Sequence, residues 1–206
     1  MDVKNRVLKI ITLLKKEYPA LKCALHYVSP FELLAATILS AQSTDVQVNK
    51  LTPALFAKYR TIEDYAAAPI ADLERAVGSV NFYRNKAKNI QGAAKKIIAE
   101  FRGEVPRTME EMISLPGVAR KTANIVLSEA YGVVEGIAVD THVRRLAGRL
   151  GLSVQEDPVK IERDLMLIVP RKDWAVFSHM LISHGRAVCV ARAPRHSGCV
   201  LYAVCP

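Results

Sequence analysis

The residues of this chain whose types and spacing could do chemistry are Lys121, Asp140 and a C-terminal set, Cys189-x6-His196-x2-Cys199-x5-Cys205. A lysine amine is a nucleophile only when neutral. At its ordinary pKa of about 10.4 it is almost wholly ammonium at neutral pH, so a working lysine needs a site that lowers that value. Burial and a helix N-terminus both disfavour added positive charge, and Arg120 beside it would push the same way if it points inward. A lysine after an arginine in a helix's first turn is also an ordinary solvated side chain. Asp140 precedes Thr141-His142-Val143 and is a favoured N-cap, worth about 1 kcal/mol. Its carboxylate could also stabilise a positive charge that develops during reaction, or manage protons. His142 reads as structural. Crowded near one end of the chain, the cysteines suit metal ligation in a reducing compartment rather than a disulfide framework. Three Cys and one His form a sound tetrahedral zinc set, and imidazole can also ligate iron.

These residues have to be held by helices. In Leu115-Pro116-Gly117-Val118-Ala119-Arg120-Lys121, Pro116-Gly117 cannot continue a helix, so the helical patterns on either side meet in a tight hairpin. The second helix of such a hairpin aims unpaired N–H groups and the positive end of its dipole outward, a site for phosphate that asks nothing of base sequence. Thr108 to Glu111 reads as a capping box opening the first hairpin helix, and the second carries Ala123, Ile125, Val126 and Ala130 up to Gly132. Elsewhere, Val3, Val7, Ile10, Ile11 and Leu14 give an amphipathic helix ending before Pro19. Ser29-Pro30-Phe31-Glu32 starts another with a capping box, and Val46, Leu51, Leu55 and Phe56 form an apolar face running past Pro53, where a break or kink is expected. Pro69 to Val77 and Ala87 to Phe101 read as a short helix and a basic amphipathic one. After Asp140, Val143, Leu146, Ala147 and Leu150 line one helix face, with Arg144, Arg145 and Arg149 on the other. Helices starting at Asp157-Pro158 and Asp173-Trp174 close the pattern. No sustained period-two alternation occurs, so the fold class is all-α.

The chain has 206 residues, 50% hydrophobic and 24% charged, with a formal net charge of +9. That balance favours a polyanionic partner and disfavours acidic substrates. No apolar run approaches the roughly 18 residues of a membrane span, and the N-terminus mixes charge into its apolar pattern as a folded helix does and a signal peptide does not. Cys23, far from the other three, reads as a buried apolar thiol.

Leu-Pro-Gly-Val followed by Arg-Lys-Thr-Ala, and Val139-Asp140-Thr141-His142 about twenty residues on, resembles the helix-hairpin-helix DNA glycosylases of the endonuclease III type. The likeness extends to Ser40-Ala41-Gln42-Ser43-Thr44-Asp45 and to the Cys-rich tail. Ala119 departs from it, standing where the family usually has a second hairpin glycine. It implies a two-lobed helix-hairpin-helix glycosylase fold, with residues 22–132 as a helical barrel-like lobe and residues 1–21 plus 133–206 as a lobe carrying an iron-sulfur or other metal loop, the DNA groove lying between.

The function implied is a bifunctional glycosylase and lyase of abasic sites that removes oxidised or reduced pyrimidines. Lys121 would be its Schiff-base nucleophile and Asp140 its carboxylate. The alternatives are a monofunctional mismatch glycosylase, against which Lys121 speaks, and a non-catalytic redox-sensing DNA-binding module. For DNA contact the resemblance implies Gln42, which fills the gap left by the extruded base, and Phe82, an apolar wedge. A polar helix junction and a core aromatic are the plain alternatives for these two. Gly117, Ala119 and Arg120 are implied at the hairpin, and Arg144, Arg186, Arg192 and Arg195 at phosphates. Asn81 occupies a place where the family often has glycine. The cofactor implied is a [4Fe-4S] cluster held by Cys189, His196, Cys199 and Cys205, with His196 in place of the usual second cysteine; zinc or no metal is the alternative. The expected partner is double-stranded DNA with damaged pyrimidines or abasic sites, met by a monomer in a prokaryotic cytoplasm at the nucleoid.

Overall fold

In a computed structural model, which describes residues 2–19, 21 and 23–206, helices carry the whole architecture and no strand occurs among the described residues. In chain order they are α1 (Val3–Glu17), α2 (Pro30–Ser40), α3 (Asp45–Lys58), α4 (Ile62–Ala67), α5 (Ile70–Ala76), α6 (Tyr83–Phe101), α7 (Met109–Ile113), α8 (Arg120–Tyr131), α9 (Thr141–Arg149), α10 (Pro158–Ile168) and α11 (Trp174–Ala187). None is long and apolar enough to cross a membrane. The chain divides into two units, Cys23–Val133 and Met1–Lys22 with Val134–Pro206. Residue 22, where the sequence places a lobe boundary, lies outside the described residues.

In the unit Cys23–Val133, α2 is buried along nearly its whole length, and α3, α6 and α8 pack against it. Ser29 caps it by accepting from the Glu32 N–H at 3.2 Å, with Pro30 at the first helical position. The expected box closes differently: the Glu32 carboxylate takes the N–H of Val28, at 2.7 Å, one residue before the cap. Pro53 does not break α3, whose buried Val48, Thr52 and Leu55 hold both sides of it while one backbone hydrogen bond is forgone. Val46, which the apolar spacing places on the buried face, is 65% exposed, because the face turns on Val48 instead. Thr61 and Asp64 form a reciprocal capping box for α4, a helix the sequence reading passed over although Thr-x-x-Asp was there to see. α6 begins at Tyr83, four residues before the expected start.

The unit Met1–Lys22 with Val134–Pro206 is built from both ends of the chain. Val7, Ile10 and Leu14 of α1 share a core with Val143 and Leu146 of α9, Ile161 and Leu165 of α10, and Phe177 and Leu181 of α11. Polar contacts join the same two segments: Lys15 Nζ lies 2.6 Å from the buried Asp173 carboxylate, and Arg6 donates to the Leu150 carbonyl at 3.2 Å.

The hairpin between α7 and α8 depends on one residue. Gly117 has φ +76°, and a Cβ there would sit 2.7 Å from Asn89 Cβ and Nδ2 on α6. Gly92, one turn along α6, makes room for Pro116 in the same way, since its own added Cβ would be 3.2 Å from the proline Cγ. Only a bare backbone satisfies both the left-handed φ and the close approach. Gly117→Ala is therefore expected to cost about 1–3 kcal/mol, read as a fall of several degrees in the thermal midpoint by circular dichroism. Ala119→Gly should change stability by no more than about 0.5 kcal/mol, so equal midpoints for the two variants would contradict this account of the turn.

Candidate functional site

Ala119 is the N-cap of α8 with φ −90° and ψ 167°, extended backbone that alanine adopts without strain, so the missing second glycine leaves the hairpin intact. No side chain caps this helix start, the end of a helix at which backbone donors and the dipole favour an anion. Gly117 and Ala119 are exposed and Arg120 is half-buried. Lys121 stands in the first turn and is exposed, so the protein alone does not supply the burial that the sequence reading asked for at this amine.

Asp140 is half-buried and caps α9 twice, one carboxylate oxygen accepting from the N–H groups of His142 and Val143, each at 2.8 Å. Its other oxygen takes no part in the cap. A side chain held by two backbone donors is fixed in orientation, which a reacting carboxylate needs. His142 has its Nδ1 3.2 Å from Arg145 Nη2, and burial pushes its pKa below the ordinary value while the Asp140 charge pulls the other way.

Arg144 is exposed. Arg145 and Arg149, which helical periodicity places on the same polar face, turn instead to the loop that follows α11. Arg145 donates to the carbonyls of Gly185 at 2.9 Å and Cys189 at 3.0 Å. Arg149 donates to the Val190 and Ala191 carbonyls, both at 2.8 Å, and lies 3.3 Å from Cys189 Sγ. Two guanidiniums thus hold the start of the Cys-rich segment by its backbone. Arg192 and Arg195 are exposed on that segment, and Arg186 is exposed in the last turn of α11.

Cys189, His196, Cys199 and Cys205 all line one cavity of about 320 Å³. The cysteines are free thiols. Burial raises the Cys205 thiol, and Cys189 and Cys199 push it the same way. His184 belongs to this cavity too and was missed: it is 1% exposed, with Nε2 3.4 Å from Cys199 Sγ and Nδ1 3.3 Å from the Tyr18 hydroxyl. A histidine inside an apolar helical run gave no sequence signal. Among the described residues no three His, Cys, Asp or Glu side chains are gathered closely enough for a single metal ion.

Gln42 and Phe82 are both exposed, Phe82 to 61%, and both have left-handed backbone, φ +54° and +56°. They lie on neighbouring loops of the same unit. Phe82 is therefore not the core aromatic that the sequence also allowed. Cys23 is half-buried, and burial raises its thiol pKa.

Comparison with known proteins adds to this geometry. A family model described as HhH-GPD superfamily base excision DNA repair protein matches residues 35–171. The endonuclease III of Synechocystis sp. is 54% identical over 203 residues, covering 98% of this chain and 93% of its own length. That of Bacillus subtilis is 49% identical, covering 91% and 86%. Among solved structures, a non-covalent endonuclease III–DNA complex and a trapped endonuclease III–DNA covalent intermediate each align with a TM-score of 0.94 at 45% identity, over 100% of this chain and 96% of theirs.

The cap at Asp140 can be separated from its charge. Asp140→Asn keeps a good N-cap acceptor and should melt within about 0.5 kcal/mol of the parent, whereas Asp140→Ala should lose about 1 kcal/mol or more. Thermal or urea denaturation of the two variants is the measurement, and equal losses in both would mean that the carboxylate is held by something other than the cap.

Proposed function

The chain belongs to the endonuclease III family of HhH-GPD base-excision repair proteins, and from that membership we propose the parts its own residues play. It is a bifunctional DNA glycosylase and lyase of apurinic or apyrimidinic sites, acting on oxidised pyrimidines. Lys121 is the nucleophile. Its neutral Nζ attacks the sugar carbon bearing the damaged base; the bond to the base breaks, and the base leaves with the electron pair and takes up a proton. The sugar ring opens to a protonated Schiff base. Loss of a proton from the adjacent carbon then expels the 3′ phosphate by β-elimination, and water hydrolyses the imine to free the lysine. Asp140 stabilises the positive charge on the sugar as the base departs and accepts the proton that the ammonium must lose.

The observation that carries this reading is the exposure of Lys121 in the first turn of α8, immediately after a hairpin whose helix start has no side-chain cap. A phosphate taken by those backbone donors brings the strand to the amine, and the duplex that covers the site provides the desolvation that the free protein lacks. Gln42 and Phe82 enter the duplex, Gln42 in the gap left by the extruded base and Phe82 against the opposite strand. Arg144, Arg186, Arg192 and Arg195 contact phosphates and set register without reading sequence. The chain acts as a monomer on damaged or abasic duplex, at the nucleoid.

Endonuclease III proteins typically carry a [4Fe-4S] cluster. In this chain Cys189, His196, Cys199 and Cys205 would hold it, and their shared cavity supports that assignment. The cluster would supply the fixed core of a loop too short to bury one of its own, and a histidine ligand would raise its potential relative to four thiolates. Arg145 and Arg149 hold the backbone at the first ligand from the protein side.

Borohydride trapping on an abasic duplex should give a covalent adduct with the parent and none with Lys121→Ala. A parent that binds the duplex without trapping would remove the Schiff-base step. Anaerobically purified protein should contain iron and acid-labile sulfide in equal amounts, and His196→Cys should lower the reduction potential measured on DNA-bound protein. Stoichiometric zinc without sulfide would overturn the cluster.

A further inference from the structure

The loops of Gln42 and Phe82 are bonded to one another through residues with no part in the reading above. Asn81 reaches across with both ends: its Nδ2 donates to the Gln42 carbonyl at 2.7 Å and its backbone N–H to Ser43 Oγ at 3.3 Å. From below, Lys86 on the first turns of α6 donates to the Leu39 carbonyl at 2.7 Å and to the same Ser43 Oγ at 3.0 Å. Gln47 Nε2 adds a bond to the Ser79 carbonyl. The Phe82 carbonyl accepts from the Lys86 N–H at 3.1 Å, so Lys86 grips both loops, one by its backbone and one by its side chain.

Lys86 is only 4% exposed, and burial alone lowers its pKa. Removing an ammonium from water is costly, and a surface lysine would avoid that cost. Here the charge meets the carbonyl end of α2, where the helix dipole favours a cation. Gln42 and Phe82 meanwhile hold left-handed backbone, which costs a non-glycine residue on the order of 1 kcal/mol and persists only where the surroundings impose it.

We infer that Asn81 and Lys86 are positioning residues that lock the Gln42 and Phe82 loops into one two-pronged unit, so that both side chains enter the duplex in a single step. This rests on the proposed insertion of Gln42 and Phe82. Two independent prongs would each lose their own conformational freedom on entering DNA; a braced pair has already lost it on folding. The Asn81 side chain is needed for the brace, since a glycine there has no donor for the Gln42 carbonyl.

The test uses the full-length protein on a duplex carrying an oxidised pyrimidine beside 2-aminopurine, whose fluorescence rises as the stack opens. Gln42→Ala and Phe82→Ala are measured singly and together, in the parent and with Asn81→Asp, which keeps the size but offers no N–H. In the parent, the two alanine effects on the opening rate should be strongly non-additive. With Asn81→Asp, opening and single-turnover excision should both slow by about tenfold, and the two effects should become additive. Borohydride trapping on a preformed abasic duplex, where no base pair has to be broken, should stay within about threefold of the parent. Lys86→Met and Ser43→Ala should move the same readouts in the same direction, and Ser43→Ala stands in if Lys86→Met does not fold. If Gln42→Ala and Phe82→Ala leave the fluorescence untouched, the insertion reading itself is wrong. If they slow opening while Asn81→Asp and Ser43→Ala leave rates and coupling as in the parent, the brace is refuted and insertion stands.

Discussion

Much of the candidate site depends on a single close approach of backbone to side chain, at Gly117 against Asn89. The left-handed turn at Gly117 lets α7 and α8 meet within a few residues, and the absence of a side chain there lets the turn lie against α6. α6 also carries Lys86 near its start, so the helix that supports the hairpin tip is the one that braces the Gln42 and Phe82 loops. Hairpin and prongs are in this way referred to one rigid element of nineteen residues. The start of α8 has no side-chain cap of its own and is held in place by the packing of its hairpin.

What the sequence made legible were features decided by one local hydrogen bond or one φ angle. Ser29, Thr108, Asp140 and Asp157 are helix caps as their types predict, and Pro116-Gly117 and Gly132 end helices where they should. Less legible were side chains whose partners lie far along the chain. Arg145 and Arg149 sit at polar positions of an amphipathic pattern, but periodicity cannot say that the polar face meets the carbonyls of a loop about forty residues on. Lys86 and His184 are buried polar groups inside otherwise ordinary helical runs; nothing in residue type marks a lysine that will be held by a carbonyl and a hydroxyl. At Glu32 the expected motif was present but displaced by one residue, because a glutamate side chain reaches the Val28 N–H as readily as that of the cap. The role proposed for Lys121 rests on its motif, since its exposure is that of any surface lysine.

The Cys-rich segment shows how a short loop is held when it has little core. Leu201 and Val204 are its buried contributions to the unit's apolar cluster, and Cys189, Cys199 and Val200 pack against it half-buried. Polar contacts from outside hold it further: two arginines on the carbonyls of residues 189 to 191, and His184 between Cys199 and Tyr18. Each guanidinium satisfies more than one acceptor, so the arginines add to the backbone hydrogen bonds that the segment makes within itself, such as Arg195 N–H to the Val188 carbonyl and Cys205 N–H to that of Leu201.

The unit made from both chain ends has a consequence for the order in which the protein assembles. During synthesis α1 leaves the ribosome before the other ten helices, but the core it shares with α9, α10 and α11 cannot form until those have followed. Residues 23–133 have contiguous sequence and can collapse earlier, bringing the two ends of the other unit together across a folded insert instead of across a long flexible loop. Until then Val7, Ile10 and Leu14 are an unpartnered apolar stripe on a short helix. The lysines that flank it, Lys4, Lys9, Lys15 and Lys16, keep that nascent segment soluble while it waits.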